Sequence, residues 1–293
     1  MTRYDIKLAI RYHYAHAVRD ARHILRVVPR ASHGQIVETL ALDVCPAPFD
    51  TATEGDFFGN RCDHLLLRDA HEDLRIEMRA RVAVDRPPPE LVGLPSLDDI
   101  RTLARCSRDS GGDGPAQFLG SGRMVGPSRE VADFFMPVAV QSTGIGEAAM
   151  GITHLIHREF RFQSGVSNVR TRVAETFATR RGVCQDFAHL MIAGLRGLGV
   201  PAAYVSGFLR TAPPPGQKRL EGADAMHAWV EVWTGEDTGW IGFDPTNECF
   251  AGNDHVVVAR GRDYADVAPI DGVLMTSGPQ RHHHAVDMTP IGE

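Results

Sequence analysis

The 293-residue chain has no apolar run of 18 residues, no Cys-x-x-Cys pair and no excess of basic charge. The first absence excludes a transmembrane helix of ordinary length, so no membrane partner is expected. The second disfavours a zinc ribbon or a thioredoxin-type redox pair. The third weighs against nucleic acid, which favours a basic stripe: 31 Lys and Arg stand against 37 Asp and Glu, a formal net charge of −6. A His-Glu-x-x-His motif is also missing, so metal-dependent hydrolysis has little support. No metal ligand set is identified and no cofactor is called for. The N-terminal "MTRYDIKLAIRYHYAHAVRD" alternates polar and apolar residues and lacks the apolar core of a signal peptide. A cytoplasmic location is the expectation.

What is present suits a globular protein of one large or two small domains. Residues 1–86 carry period-two alternation in "YDIKLAIRYHY", "RHILRVVPR", "QIVETLALDV", "CDHLLLR" and "DLRIEMRARVAV". Such short strands between turn signals predict a small all-β, sandwich-like N-terminal domain. "DRPPPE" is a stiff connector into a second domain over 87–293. There the period changes. "SREVADFFMPVAV" spaces Val131, Phe134, Phe135 and Val138 as one helix face, with Ser128 as N-cap. "EAAMGITHLIHREF" and "RVAETFATRR" are also helical. From Val200 the strands return as "AAYVSGFL", "AWVEVW", "WIGFD" and "HVVVAR", with a polar loop at Thr211–Asp224. Helices followed by an antiparallel sheet make an α+β arrangement.

Five scattered cysteines read mostly as small buried hydrophobes. Cys184 differs, because "RRGVCQDFAHLMIAGLRGLG" opens a helix at that residue. Phe187, Ala188, Met191 and Leu195 share its face, so the thiol points inward from a helix N-terminus, where free N–H groups favour a thiolate. Gly182 allows a close backbone approach. This feature alone fits a filler cysteine equally well. The second feature is "HAWVEVWTGEDTGWIGFDP", which reads as a β-hairpin. A turn centred between Gly235 and Glu236 sets His227 directly opposite Asp244, with Trp229 beside His227 on the same face. A helix-start thiol, an imidazole and an acid that orients it are the parts of a nucleophilic system. An unrelated cysteine near a stabilising His–Asp pair is the simpler alternative.

At these residues the sequence resembles the transglutaminase-like superfamily, especially a bacterial branch of candidate cysteine proteases with a β-rich N-terminal domain. The blocks "RRGVCQDFAHLMIAGLRGLGVPAAYVSGF", "HAWVEVW" and "GWIGFDPTN" carry the resemblance. It implies a papain-like or transglutaminase-like core in a rearranged order. It implies Cys184 as nucleophile, His227 as general base and acid, and Asp244 as its orienter. The implied reaction is thiol-dependent acyl transfer or hydrolysis of a peptide or protein amide through a thioester. A cross-linking transglutaminase and a catalytically silent scaffold are the alternatives. The Cys184 backbone N–H would be the first oxyanion donor. Trp229 and Gln185 are placed at the substrate cleft, although helical geometry turns Gln185 away from Cys184. His189 is expected in a helix-surface contact with Asp186. His282–His284 are set aside as metal ligands, because consecutive strand residues face opposite ways.

Overall fold

Alternating apolar residues from Tyr4 to Ile10 form the buried side of one long strand, β1 (Thr2–Leu25). The computed structural model describes residues 1–211, 224–276 and 278–292. Apart from Thr211 and Asp224, the expected polar loop therefore lies outside the described residues. The two segments expected as separate strands within 4–30 are joined, because β1 continues through a bend where Asp20 takes a positive φ of 50°. Its first half lies between β5 (His71–Val84) and β14 (Gln280–Ile291). Its second half lies between β4 (Arg61–Leu67) and β13 (Ile270–Met275). With β2 (Gln35–Cys45) and β3 (Asp50–Gly55) this makes a seven-stranded antiparallel sheet, ordered β2-β5-β1-β4-β3, with β13 and β14 also on β1. A cut at residue 86 thus separates β13 and β14 in sequence from the sheet they complete.

Helix α1 (Leu97–Cys106), which was not among the expected elements, is short and buries only Ile100 and Ala104. Its start is marked by a capping box in which Ser96 and Asp99 exchange side-chain-to-backbone bonds. Helix α2 (Arg129–Gln141) begins at Ser128 as expected, the Ser128 hydroxyl accepting the Val131 N–H at 3.3 Å, and it runs on through Pro137. Next come α3 (Ile145–Glu159), β6 (Arg161–Phe162), α4 (Val173–Thr179), β7 (Arg181–Gly182) and α5 (Cys184–Gly197). The core sheet is antiparallel, with order β11-β10-β9-β8-β12. Its strands are β8 (Ala202–Leu209), β9 (Ala225–Trp233), β10 (Trp240–Asp244), β11 (Cys249–Phe250) and β12 (His255–Gly261), followed by α6 (Tyr264–Val267).

Helix α5 is the axis of this unit, enclosed by β8 and β9 on one side and by α2, α3 and α4 on the other. Phe187, Ala188, Met191 and Leu195 are buried as expected, and so are Leu190 and Ile192 on other faces. Each large apolar side chain taken fully from water contributes about 1.5–3 kcal/mol, so α5 is held firmly along its length. Gly194 lets α2 come close: a Cβ there would stand 2.3 Å from the Phe135 ring. At the far end the buried Arg196 guanidinium donates to the carbonyls of Ala202, Val125, Gly120 and Arg262. Among the described residues no helix is long and apolar enough to cross a membrane.

Candidate active site

Cys184 is the first residue of α5, and its approach is shaped by Gly182 and Asp186. The Asp186 carboxylate accepts the Val183 N–H at 2.8 Å and the Ser167 hydroxyl at 2.5 Å. A Cβ on Gly182 would lie 2.7 Å from the Asp186 Cβ, so only glycine leaves room for this cap. Burial raises the Asp186 pKa, against the two hydrogen bonds that favour the carboxylate. The Cys184 thiol is half-buried.

His227 lies on β9 and lines the same cavity as Cys184. Its Nε2 bonds to Asp244 Oδ2 at 2.7 Å, so Nδ1 is the ring nitrogen not held by the carboxylate. The ladder differs from expectation: Trp233 pairs with Trp240 and Val230 with Phe243, so Trp229, not His227, falls opposite Asp244. The turn is centred further along, closed by the Thr234 N–H to Gly239 carbonyl bond at 2.8 Å. A register shift of two residues leaves every face unchanged, and the two side chains meet along a diagonal.

Asp244 is fully buried and accepts five bonds. Oδ2 takes His227, the Asn247 amide at 2.7 Å and His255 Nε2 at 3.1 Å. Oδ1 takes the backbone N–H groups of Thr246 and Asn247 at 2.9 and 3.2 Å. Burial alone would raise this carboxyl, but the bonds from His227 and His255 outweigh it and hold it far below the usual carboxylate range. Burial likewise opposes a charged His227, and the Asp244 and Cys184 bonds overcome that, pushing its pKa up to about 10. Helix α3 steadies the following turn through His157 on the Thr246 carbonyl at 3.0 Å and His154 on Glu248 at 2.7 Å.

Cys184, Gln185 and His227 line one cavity of about 350 Å³. Gln185, expected to face away, borders it, with its amide donating to the Val169 carbonyl at 3.3 Å. Trp229 is not among its described lining residues. It is buried behind His227, its ring 6.2 Å from the imidazole at 28° and 5.2 Å from His255 at 79°. His189 is also placed differently: it is buried, and its Nε2 accepts the Tyr264 N–H at 3.1 Å rather than meeting Asp186. Of the cysteines only Cys62 is buried, while Cys45 and Cys106 are exposed. Cys249 sits across from Asp244 on β11, and burial followed by the charges of Asp244 and Asp254 pushes its thiol up to about 11.

His255 is the residue of this cluster that the sequence reading did not single out. It opens the apolar strand "HVVVAR", and a lone histidine ahead of three valines was its only mark. The ligand atoms of His227, Asp244 and His255 lie within 4.8 Å of one another, the group among the described residues able to surround a cation. Here both Nε2 atoms are spent on the same carboxylate oxygen.

Comparison with known proteins converges on one group. The model of the transglutaminase-like superfamily matches residues 136–245, and that of the bacterial transglutaminase-like N-terminal region matches 4–83. An uncharacterized protein of Mycobacterium tuberculosis strain H37Rv is 35% identical over 280 residues, covering 94% of this chain and 88% of its own length. A protein-glutamine gamma-glutamyltransferase of Pseudomonas aeruginosa is 41% identical over 71 residues, 24% of this chain and 10% of that protein. The crystal structure of a candidate cysteine protease from Cytophaga hutchinsonii superposes with a TM-score of 0.78 at 23% identity, covering 100% of this chain and 91% of that one. That likeness concerns the fold.

Proposed function

Since the chain belongs to the transglutaminase-like superfamily, we propose that it is a thiol-dependent amide hydrolase or acyltransferase with Cys184, His227 and Asp244 as its catalytic set. The observation that carries this reading is a helix-start thiol and an imidazole lining one cavity, the imidazole bonded at 2.7 Å to a fully buried carboxylate. The substrate class is a peptide or protein amide.

His227, charged at neutral pH, holds the proton given up by the Cys184 sulfur, and that sulfur attacks the amide carbonyl carbon. Negative charge then develops on the carbonyl oxygen. The first N–H groups of α5 have no acceptor within the helix, and the Cys184 N–H is assigned as oxyanion donor. When the C–N bond breaks, the imidazolium returns its proton to the departing amine, leaving a thioester on Cys184. Water or a second amine attacks the thioester, His227 removes its proton, and the Cys184 sulfur departs as the C–S bond breaks, which restores the starting pair of sulfur and charged imidazole. Asp244 stays ionised and keeps Nε2 engaged, so Nδ1 is the nitrogen that moves the proton. Trp229 backs the imidazole and limits its rotation. The domain over 1–86 is proposed as a non-catalytic module bordering the cleft of the domain over 87–293.

The test is a peptide and amide library screened with the wild-type protein and Cys184→Ala. Turnover by the wild-type protein alone is expected, together with loss of site-resolved iodoacetamide labelling at residue 184. Labelling dominated by Cys106 or Cys249, or equal turnover by Cys184→Ala, removes the assignment.

A further inference from the structure

Strand β14 returns along β1 with His282 opposite Tyr12 and His284 opposite Ile10. Strand alternation puts His282, His284 and Tyr12 on one face and sends His283 to the other. The His282 ring stands 5.7 Å from Tyr12 at 29° and 6.5 Å from His284 at 13°, so the three rings are near parallel. On the same face Ile10 is buried, whereas His282 and His284 are exposed and Tyr12 is half-buried. This row is therefore not core. It borders the cavity that Cys184 and His227 also line, so the N-terminal sheet supplies part of the wall.

We propose that Tyr12, His282 and His284 form a subsite for an aromatic side chain of a peptide substrate, next to the amide attacked by Cys184. The proposal rests on the thiol reading above for where the scissile amide lies. Flat rings held parallel at the rim of a cavity offer offset or edge-on partners to another ring, and such pairing adds to what burial alone contributes. An aliphatic side chain gains burial only. The cavity, at about 350 Å³, is near the lower end of small-molecule sites, roughly 300–1,000 Å³, which suits one side chain beside the reacting amide. Exposed aromatic surface gathered at one place is a mark of recognition rather than of packing.

Alkylation of Cys184 tests this without requiring turnover. Second-order rates of iodoacetamide, N-benzyl iodoacetamide and N-cyclohexyl iodoacetamide are measured at Cys184 by site-resolved mass spectrometry. Each is divided by its rate with glutathione, and exposed Cys45 and Cys106 serve as internal controls. The benzyl reagent is expected to be favoured about tenfold over the other two at Cys184 alone, the scale of one aromatic contact. Tyr12→Ala and His282→Ala should each abolish that preference, Tyr12→Phe should keep it, and the iodoacetamide rate should stay within about twofold. His282 is exposed, so its substitution remains informative if Tyr12→Ala fails to fold. A missing preference, an equal one for cyclohexyl, or one that survives both substitutions overturns the subsite. Failure of the thiol reading shows differently, as an iodoacetamide rate at Cys184 that His227→Ala leaves unchanged, with the reagent ratio still deciding the subsite.

Discussion

His227 Nε2 lies 2.7 Å from Asp244 Oδ2 although the two residues are not opposite one another in the β9–β10 ladder. Diagonal neighbours on a sheet face are about 7–8 Å apart at the backbone, within reach of long or aromatic side chains. Asp244 ends its strand, and the N–H groups of Thr246 and Asn247 hold Oδ1, which turns Oδ2 back toward His227. The relationship is thus made by the turn after Asp244 as much as by the hairpin.

Asp244→Asn should slow iodoacetamide alkylation of Cys184 by about tenfold or more, since one charge-assisted hydrogen bond contributes about 1.5–3 kcal/mol. Asparagine keeps the shape and removes the charge that orients His227. A rate equal to wild type would remove Asp244 from the reactive assembly.

His227 is raised to about 10. A histidine raised above its unfolded value stabilises the fold fully below the unfolded pKa, near 6.5, and that stabilisation is lost as pH rises through the folded value. The ring resonances of His227 in NMR should therefore stay constant from about pH 5 to 8 and move only on the alkaline side. A midpoint near neutrality would show the pairing to be weak.

His189 behaves in the opposite sense, because burial pushes its pKa down to about 4 and its Nε2 accepts a backbone N–H. The unfolded chain binds the proton first, so stability falls as pH drops from about 6.5 toward 4, by roughly 3 kcal/mol. Urea unfolding across that range should show the slope, and His189→Gln should flatten it; an unaltered slope in the variant assigns it elsewhere.

His255→Ala deprives Asp244 of a 3.1 Å donor and opens a cavity beside Trp229. Denaturant unfolding should register a loss of about 1–3 kcal/mol, with His255→Gln recovering part of it through its amide donor. Equal stability of the alanine variant and wild type would show that this bond contributes nothing.

Gly182→Ala forces a methyl to within 2.7 Å of the Asp186 Cβ. Overpacking of this kind costs about 1–3 kcal/mol, and displacing Asp186 frees the Val183 N–H just before Cys184. Lower stability and slower Cys184 alkylation are expected together; loss of stability with full reactivity would separate the cap from the thiol.

Local periodicity determined much of this protein. The shared face of Cys184, Phe187 and Met191, the face common to His227 and Asp244, and the all-β start each follow from side-chain spacing that a strand or helix repeats without outside help. The hairpin register was two residues off, because the glycines at 235 and 239 both take positive φ and let the turn close at either place. The tertiary structure alone decided that β14 lies along β1, that His282 and His284 reach the Cys184 cavity, and that His255 joins His227 on Asp244. Those contacts link residues far apart in the chain or on different strands, and a residue's own neighbours carry no record of which distant surface will cover it. Chain pattern set which way each side chain faces, and packing chose what it meets.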